Sequence, residues 1–434
     1  GDTGEILNEE FLDSPTVIID NRKPLNPQRL GKILEKLGKE RKKRKEKLKV
    51  SEPLKKWFTS FMKNLESYRL NERASETKDF CVVQRFLDGI ETYSAKGRLL
   101  LSRGLIKGEL EPSPRLVDSL FKCSTCGQCY DQLCEDTLEI DGAIVRARHE
   151  VAKRGLMPAF GKTSLRNILE EGNPMGMPAE DRTIWWEDLS EKHTFHENEI
   201  LYWPGCTTAY RLPSVVEATS KVLEQAGVDF GFLGEKEECC GLVLYLAGLW
   251  KEAEEIARLR AEELGGSIRT LVTSCAGCFF AFSKIYPKLG ISLPFKVLHT
   301  SQLFDTIIEG GRIRFRSFDE RLAWHDPCDL GRHSGVYREP RSVIRAIPGV
   351  ELKEGHLSKE HSLCCGGGGG LMAYDLGLAE KVATSKIRED LALQGVKWVA
   401  TGCPACLLTL RAASKSESVD MQILDLSELL VKAL

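Results

Sequence analysis

The carboxyl-terminal half of the chain alternates between short apolar runs and longer stretches whose apolar positions recur at helical spacing. The runs at residues 200–206, 270–275, 322–328 and 397–403 are rich in β-branched and aromatic residues, and each leads directly into a cysteine. A helical pattern follows each run. This order is typical of strand–loop–helix units in an open parallel sheet, where functional side chains lie on loops at the strand ends. We therefore predict an α/β fold for this half.

The same pattern occurs twice, and this internal repeat is the most informative feature of the sequence. Each segment of the first copy has a counterpart in the second. The matching pairs are residues 200–206 with 322–328, 238–242 with 363–367, 270–278 with 397–406, and 295–299 with 421–425. We predict two similar α/β domains, at residues 199–312 and 313–434, related by a pseudo-twofold axis and with their cysteine loops facing each other.

The amino-terminal part follows other patterns. The pattern of residues 1–71 predicts a charged helical extension, whose basic run favours a solvated helix, with contact to anionic lipid as the alternative. Residues 72–160 show helical spacing at 97–105 and 144–152, which predicts a small helical domain with a ferredoxin-like cysteine group. Proline and glycine near residue 175 predict a linker at 161–198.

Composition and charge narrow the class of protein. Of 434 residues, 42% are hydrophobic and 29% charged, which is typical of a folded globular chain. The longest apolar stretch is too short for a bilayer, and the first residues do not resemble a secretory signal, so we expect a cytoplasmic protein. The net charge of -2 makes nucleic acid an improbable partner, because phosphate binding requires a basic surface.

Fifteen cysteines indicate metal or cluster ligation, because cytosolic thiols stay reduced and an odd number cannot pair completely. Each repeat carries five cysteines in the same order, whereas a structural zinc ion needs only four ligands. A larger cluster or a reactive extra thiolate is therefore favoured. The two five-cysteine sets, our candidates for ligation and catalysis, are Cys206, Cys239, Cys240, Cys275 and Cys278 in the first repeat and Cys328, Cys364, Cys365, Cys403 and Cys406 in the second.

A third group resembles a ferredoxin signature. It consists of Cys123, Cys126, Cys129 and Cys134. Four residues rather than three precede its last cysteine, and no proline follows it, so it departs from the bacterial pattern at its end. In two-cluster ferredoxins the last cysteine of a motif ligates the other cluster, so a partner motif has to be sought.

With its doubled five-cysteine pattern, the chain from about residue 72 onwards resembles the cysteine-rich CCG-domain family. That family includes heterodisulfide reductase catalytic subunits, the K subunit of the Dsr membrane complex, and iron–sulfur subunits of glycolate, lactate and glycerol-3-phosphate oxidoreductases. The resemblance implies a non-cubane [4Fe-4S] cluster in each five-cysteine motif, with the paired clusters cleaving a disulfide by giving each sulfur an iron to bind. Both motifs are complete here, which favours catalysis over a relict fold, although a cluster that only relays electrons would need the same ligands.

The resemblance also bears on the ferredoxin-like group. Residues 93–101 resemble the segment that follows the first ferredoxin motif in these relatives, which puts Cys81 in the place of that motif's last cysteine. The three upstream positions are Asn71, Ala74 and Thr77, which cannot make a thiolate site. Our hypothesis is one [4Fe-4S] cubane held by Cys123, Cys126, Cys129 and Cys81. The alternative uses Cys134 as the fourth ligand.

Other polar residues near the motifs carry weaker signals. His325 and His333 flank Cys328, and either is a candidate proton donor to a departing thiolate, although a structural histidine is the favoured interpretation. Arg332 and Arg338 are candidates for binding an acidic substrate. The glycine run 366–370 follows a cysteine pair rather than a strand, so we reject a dinucleotide site and expect its backbone N–H groups to approach cluster sulfur.

The preferred function is reduction or oxidation of a disulfide-type substrate, a small thiol or a thiol protein. The electrons pass through another subunit, since no heme, flavin or quinone motif is visible; in relatives this subunit is a membrane cytochrome b or a flavoprotein. Such a partner would make the chain peripheral to the cytoplasmic membrane. The alternatives are an electron-transfer subunit of a flavin-linked glycolate, lactate or glycerol-3-phosphate dehydrogenase, and a zinc-stapled scaffold.

Overall fold

The computed structural model describes residues 81–129, 140–196, 200–266, 268–355 and 357–434. The predicted extension at residues 1–71 and Cys134 lie outside the described residues. The described strands are β1 (Ile200–Trp203), β2 (Phe230–Gly231), β3 (Thr270–Thr273), β4 (Lys296–His299), β5 (Arg321–Trp324), β6 (Glu351–Lys353), β7 (Trp398–Thr401) and β8 (Gln422–Asp425).

Helices surround these strands. Before β1 the α-helices among the described residues are α1 (Ala95–Lys107), α2 (Pro114–Phe121), α3 (Ile140–Lys153), α4 (Ala159–Glu171) and α5 (Glu187–Lys192). Between β1 and β5 they are α6 (Cys206–Arg211), α7 (Pro213–Gln225), α8 (Leu242–Ala247), α9 (Trp250–Leu264), α10 (Ala276–Phe280), α11 (Tyr286–Lys288) and α12 (Thr300–Glu309). After β5 they are α13 (Arg338–Arg345), α14 (Leu371–Tyr374), α15 (Leu376–Lys386), α16 (Pro404–Ser416) and α17 (Leu426–Ala433).

The strands form two four-stranded parallel sheets with equivalent topology. The first has the order β2-β1-β3-β4 and the second the order β6-β5-β7-β8. In both, the strand that precedes the first cysteine lies next to the strand that precedes the last two, as the registers Leu201 with Leu271 and Ala323 with Val399 show. The carboxyl ends of these central strands therefore bring their cysteine loops together. The predicted α/β fold with two open-sheet domains is confirmed.

The two repeats pack against each other in a reciprocal way. Helix α7 of the first copy contacts α17 of the second, and α12 of the first copy contacts α13 of the second. In the repeat, α7 corresponds to α13 and α12 corresponds to α17. Replacing each helix by its counterpart therefore turns the first contact into the second. Polar bonds support both, with Ser214 donating to Glu428 over 2.7 Å and Arg338 to Asp305 over 2.9 Å. This packing is what a pseudo-twofold relation requires.

The helical part before β1 has a core of its own. Leu120, Phe121 and Ile144 are among the buried residues that hold α1, α2 and α3 together. Helix α1 begins after Ser94, whose hydroxyl accepts from the Gly97 N–H over 2.8 Å. Such a cap satisfies one of the backbone donors that a helix start leaves free. Both stretches with predicted helical spacing, 97–105 and 144–152, lie inside these helices.

The stretch predicted as a linker contains helices and buried polar residues. Helices α4 and α5 lie within or across residues 161–198. Between them, the fully buried Asn173 donates to the Met177 carbonyl over 2.7 Å and thereby fixes the turn that contains the proline and glycine residues. The stretch at residues 161–198 positions part of the first cysteine site.

Among the described helices, none has the length and apolar character needed to cross a bilayer.

Candidate metal centres

The first five-cysteine site lies at the carboxyl ends of β1 and β3. Cys206 begins α6, Cys239 and Cys240 precede α8, and Cys275 and Cys278 lie at the start of α10. Their thiols form a continuous series of side-chain contacts, from Cys206 to Cys239, Cys240, Cys278 and finally Cys275. All five thiols are free. The structure therefore brings the whole predicted set together.

The tight approach of these thiols depends on a glycine in the loop after β1. Gly205 has a φ of +80°, and a Cβ there would lie 3.0 Å from the Cys278 sulfur. Only glycine satisfies both the backbone conformation and the space. The Gly205 N–H also donates to Glu237 over 3.0 Å, which ties the loop to the segment before the cysteine pair.

The second five-cysteine site repeats this arrangement at the ends of β5 and β7. Its series of contacts runs from Cys328 to Cys364, Cys365, Cys406 and Cys403. The Cys365 and Cys406 sulfurs are 3.1 Å apart. The N–H groups of the next two glycines donate to the sulfurs of Cys364 and Cys365, over 3.3 and 3.4 Å. Backbone donors of the glycine run thus reach the cysteine sulfurs, and their approach to cluster sulfur stays a prediction.

Proton sharing has the same pattern in both sites. The second cysteine of each pair accepts hydrogen bonds from two neighbouring thiols, and these bonds lower the pKa of Cys240 to about 6 and that of Cys365 well below its usual range. At the neighbours Cys278 and Cys406, donation of these bonds together with burial raises the pKa well above the usual range. Each site is therefore ready to hold negative charge on sulfur, which is the form that metals bind.

The ferredoxin-like cysteines share one cavity. Cys81, Cys123, Cys126 and Cys129 all line it. The buried Arg98 also lines this cavity and donates to the Cys81 sulfur over 3.6 Å. A guanidinium so close to thiols offsets the negative charge that a thiolate-held cluster brings. The structure thus places Cys81 beside the three motif cysteines, as our hypothesis requires, while Cys134 lies outside the described residues.

This ferredoxin-like loop lies directly against the second five-cysteine site. Cys126 donates a side-chain hydrogen bond to Cys364, which itself approaches the Ser124 hydroxyl at 3.4 Å. Arg332 donates to the Cys126 carbonyl over 2.7 Å. Within the described residues, the cysteines of the first site make no such hydrogen bond to this loop. The cubane candidate and the second site are therefore neighbours.

The glycine run after the second cysteine pair allows this close approach. Gly369 has a φ of +65°, and a Cβ there would lie 2.2 Å from the Ser124 backbone. At Gly368 a Cβ would be 3.8 Å from the nearest atom, an ordinary contact. In the first copy the corresponding region already forms helix α8. From the sequence, we expected the glycine run only to bring backbone N–H groups close to sulfur. The same glycines also make room for the ferredoxin-like loop.

Three weaker candidates have structural partners. The His333 Nε2 donates to the Thr125 carbonyl over 2.9 Å, and its ring stacks on Phe280. Arg332 donates through Nη1 to the Ser362 carbonyl as well as to the ferredoxin-like loop. Arg338 is exposed and pairs with Asp305 between the repeats, away from the cysteine loops. His333 thus contacts the ferredoxin-like loop, and a ring nitrogen also lies within 4.8 Å of the Cys328 sulfur and an Asp329 oxygen. Its role as a proton donor stays a prediction, whereas a role for Arg338 in binding an acidic substrate gains no support.

His325 differs from His333. It follows β5 directly, is buried, and has no hydrogen-bond partner at either ring nitrogen in the described structure. A ring nitrogen lies within 4.8 Å of the sulfurs of both Cys365 and Cys406. Burial and the nearby Lys386 lower the pKa of His325 to about 3, so the ring is neutral. Its side chain faces the second site.

A buried arginine at the first site was not found from the sequence. Arg182, which lies in the predicted linker, donates to the Cys206 sulfur over 3.5 Å and to Glu237 over 2.7 Å. Burial raises the pKa of Glu237 to about 7 even though Arg182 opposes the shift. No spacing pattern indicated this contact, because Arg182 is far from the cysteine motifs along the chain.

The donor sets fit iron–sulfur clusters. Soft thiolates are the usual ligands of such clusters, and each five-cysteine site offers more sulfur than one tetrahedral metal ion can use. The orphaned nitrogens of the buried His325 beside two of these sulfurs also indicate a missing partner inside the second site. All three cysteine groups therefore suit sulfur-bound iron.

Comparisons with known proteins agree with this arrangement. The cysteine-rich domain family CCG matches residues 200–283 and 322–411, one copy for each sheet. The D subunit of dihydromethanophenazine:CoB–CoM heterodisulfide reductase from Methanosarcina acetivorans is 33% identical over 79% of this chain and 84% of its own length. The probable iron-sulfur-binding oxidoreductase FadF of Bacillus subtilis is 28% identical over 75% of this chain and 48% of its own length.

A third relative, the B subunit of the CoM/CoB fumarate reductase from Methanothermobacter marburgensis, is 28% identical over 72% of this chain and 61% of its own length. Among solved structures, glutamate racemase RacE1 of Bacillus anthracis covers 55% of this chain and 80% of its own, with 12% identity and a TM-score of 0.26, too low to support an argument. The fold, the cysteine sites and the relatives define an iron–sulfur oxidoreductase subunit. The chain belongs to the CCG cysteine-rich domain family that includes the D subunit of heterodisulfide reductase.

Proposed function

We propose that this subunit reduces or oxidises a disulfide-type substrate at two non-cubane [4Fe-4S] clusters, one in each five-cysteine site. A single cubane [4Fe-4S] cluster at the ferredoxin-like cysteines exchanges electrons with them. The observation that carries the proposal is the convergence of two complete five-thiol sets, the second in contact with the ferredoxin-like loop through Cys126 and Cys364. The name of the heterodisulfide reductase relative supports the same type of substrate.

The number of electrons that the reaction needs suits two neighbouring clusters. Splitting a disulfide into two thiols takes two electrons and two protons, and bound clusters supply electrons one at a time. Each site has one less buried cysteine, Cys275 in the first and Cys328 in the second. Asp329 lies between them, 3.8 Å from the Cys328 sulfur and within reach of the loop that carries Cys275. The substrate sulfurs therefore approach from the side of these two cysteines.

The electrons pass between the five-cysteine sites and a partner subunit through the ferredoxin-like part. Its loop contacts the second site, so the cubane cluster is the natural relay to it. The chain has no visible motif for heme, flavin or quinone, and several relatives are named as subunits. The electron donor or acceptor is accordingly a partner subunit, a membrane cytochrome b-type protein or a flavoprotein, which would hold the chain at the cytoplasmic face of the membrane.

The second candidate function is electron transfer for a flavin-linked glycolate, lactate or glycerol-3-phosphate dehydrogenase. It is favoured by the similarity to FadF, whose name describes an iron-sulfur-binding oxidoreductase and mentions no disulfide substrate. The same cysteines would serve both functions. A flavoprotein that purifies with the chain would support this candidate, whereas a cytochrome or a small thiol protein would support the first.

The proposed function is tested by electron paramagnetic resonance of the anaerobically purified protein before and after addition of thiol and disulfide compounds. We expect a paramagnetic signal that changes shape on thiol binding, because a substrate sulfur binds to cluster iron. The change should disappear in Cys328→Ser and Cys275→Ser variants and persist in the surface variant Arg338→Met. Clusters that never respond to any thiol would contradict disulfide chemistry.

The ligands of the cubane are tested separately. Cys81→Ala and Cys134→Ala variants are compared by iron content and by the cubane resonance. The shared cavity of Cys81 with Cys123, Cys126 and Cys129 predicts loss of the cubane signal in Cys81→Ala. Its retention there, together with loss in Cys134→Ala, would show that Cys134 is the fourth ligand.

A further inference from the structure

The side chain of His325 is fixed in place but lacks a polar partner. Its backbone N–H donates to the Ala400 carbonyl over 2.9 Å and its carbonyl accepts from Thr401 over 3.3 Å, which anchors the residue between β5 and β7. The side chain is 1% exposed, yet neither ring nitrogen has a hydrogen bond in the described structure. A buried polar group without a partner costs free energy and so calls for an explanation.

The polar groups around His325 are engaged with each other. Asp326 forms a buried ion pair with Arg341 at 2.7 Å. Lys386 pairs with Asp390 and donates to the Ser362 hydroxyl over 3.4 Å. The sulfurs of Cys365 and Cys406 lie within 4.8 Å of a ring nitrogen. The missing partner of His325 therefore lies on the side of the second cysteine site.

The first copy of the repeat gives the contrast. Alignment of Cys206 with Cys328 puts the buried Trp203 in the place of His325. Trp203 packs its ring edge-on against Phe282, in a hydrophobic cluster that includes the first cysteine site. The Trp203 indole N–H also has no hydrogen-bond partner in the described structure, but it is His325 that has a ring nitrogen close to cysteine sulfurs of its site. The two copies share five cysteines and differ in this neighbour.

We propose that His325 donates a ring N–H hydrogen bond to a sulfur of the cluster held in the second five-cysteine site. This inference rests on the proposal that this site holds a cluster. Iron ligation by the ring is less favoured, because five thiolates already exceed the four irons of a [4Fe-4S] cluster. A hydrogen bond to cluster sulfur stabilises the reduced, more negative state and raises the reduction potential. His325 is thus a positioning and tuning residue.

Pulsed electron paramagnetic resonance of the holoprotein labelled with nitrogen-15 histidine tests the contact. The signal of the second site is identified by its loss in Cys406→Ser. We expect this signal to show a weak histidine nitrogen coupling that His325→Phe removes. A redox titration of the same protein should show a lower midpoint potential in His325→Phe, with recovery in His325→Gln, whose amide can donate. His193→Phe is the matched control, since His193 pairs with Glu224 instead.

Each outcome bears on the inference. A second-site signal without histidine coupling in the native protein, or one unchanged in coupling and potential in His325→Phe, would overturn it while leaving the proposed function intact. A strong coupling typical of iron-bound nitrogen would overturn the hydrogen bond in favour of ligation. Failure to find any cluster signal dependent on Cys406 would overturn the proposed function as well. If His325→Phe does not assemble, the labelled native protein and His325→Gln decide the case.

Discussion

The two five-cysteine sites have the same ligands on the same loops of equivalent sheets, yet their surroundings differ. The first site has the buried pair of Arg182 and Glu237 at Cys206, contributed in part by a segment outside the repeat. The second has the unpartnered His325 and a glycine run that admits the ferredoxin-like loop. The two sites thus share the thiol set but have different polar neighbours.

The largest expected effect concerns the cysteine pairs. Cys239→Ser and Cys364→Ser replace equivalent positions, and each should remove the cluster of its own site because a thiolate ligand is lost. Only Cys364→Ser should also alter the cubane resonance, since Cys364 contacts Cys126. Iron content and electron paramagnetic resonance provide the measurement. If Cys239→Ser and Cys364→Ser changed the cubane resonance equally, the claim that the cubane lies next to the second five-cysteine site would be wrong.

The next effect concerns the buried cation of the first site. Arg182→Met leaves Glu237 without the cation of its buried ion pair, and we expect a loss of about 4 kcal/mol in the free energy of unfolding. The midpoint potential of the first cluster should fall, because a hydrogen-bonding positive charge beside Cys206 is removed. Denaturation and redox titration measure the two effects. Arg338→Met, which removes an exposed arginine, is the control.

If the first-site potential stays constant in an assembled Arg182→Met protein, Arg182 is purely structural. Glu237→Gln sharpens the test, since it removes a negative charge from the same pair. It should shift the potential upwards, opposite to Arg182→Met.

A third prediction uses His299 and Asp425, which end the equivalent strands β4 and β8. Burial lowers the pKa of His299 to about 4 and raises that of Asp425 to about 7. The contribution of His299 to folding is lost as pH falls from 6.5 towards 4, whereas that of Asp425 is lost as pH rises from 3.8 towards 7. Each amounts to about 3 kcal/mol and they oppose each other.

Between pH 4 and 7, the combined contribution of His299 and Asp425 to the free energy of unfolding of the native protein should therefore change little. In Asp425→Asn only His299 still titrates, so the free energy of unfolding should rise with pH. In His299→Gln only Asp425 still titrates, so the free energy of unfolding should fall with pH. Parallel curves for the two variants would contradict the opposite titration of these counterparts.

The smallest effect concerns the glycine run. Gly369→Ala should destabilise the protein by about 2 kcal/mol, because a Cβ at φ +65° would overlap the Ser124 backbone. It should also weaken electron exchange between the cubane and the second site. Gly368→Ala has space for its methyl group and serves as the control. Thermal unfolding and the rate of second-site reduction provide the measurements, and indistinguishable variants would argue against the packing role.

Much of this architecture was predictable because the repeat carries it. The positions of β1, β3, β5 and β7 and both five-cysteine sets follow from short apolar runs that lead into cysteines, and the structure brings both sets together. Arg182 was not predictable, since it reaches Cys206 from a segment whose proline and glycine residues indicated a linker. The neighbour relation of Cys126 and Cys364 depends on tertiary packing between distant segments, for which a single sequence holds no periodic signal.

The central claim is that three cysteine groups hold three clusters, two of them in the five-cysteine sites. Iron, acid-labile sulfide and zinc analysis of the anaerobically purified chain tests it most directly. We predict about twelve irons with a similar amount of sulfide and no stoichiometric zinc, as three four-iron clusters require. About four irons, or zinc in place of iron, would contradict the claim and make the repeated domains a scaffold around the ferredoxin-like group.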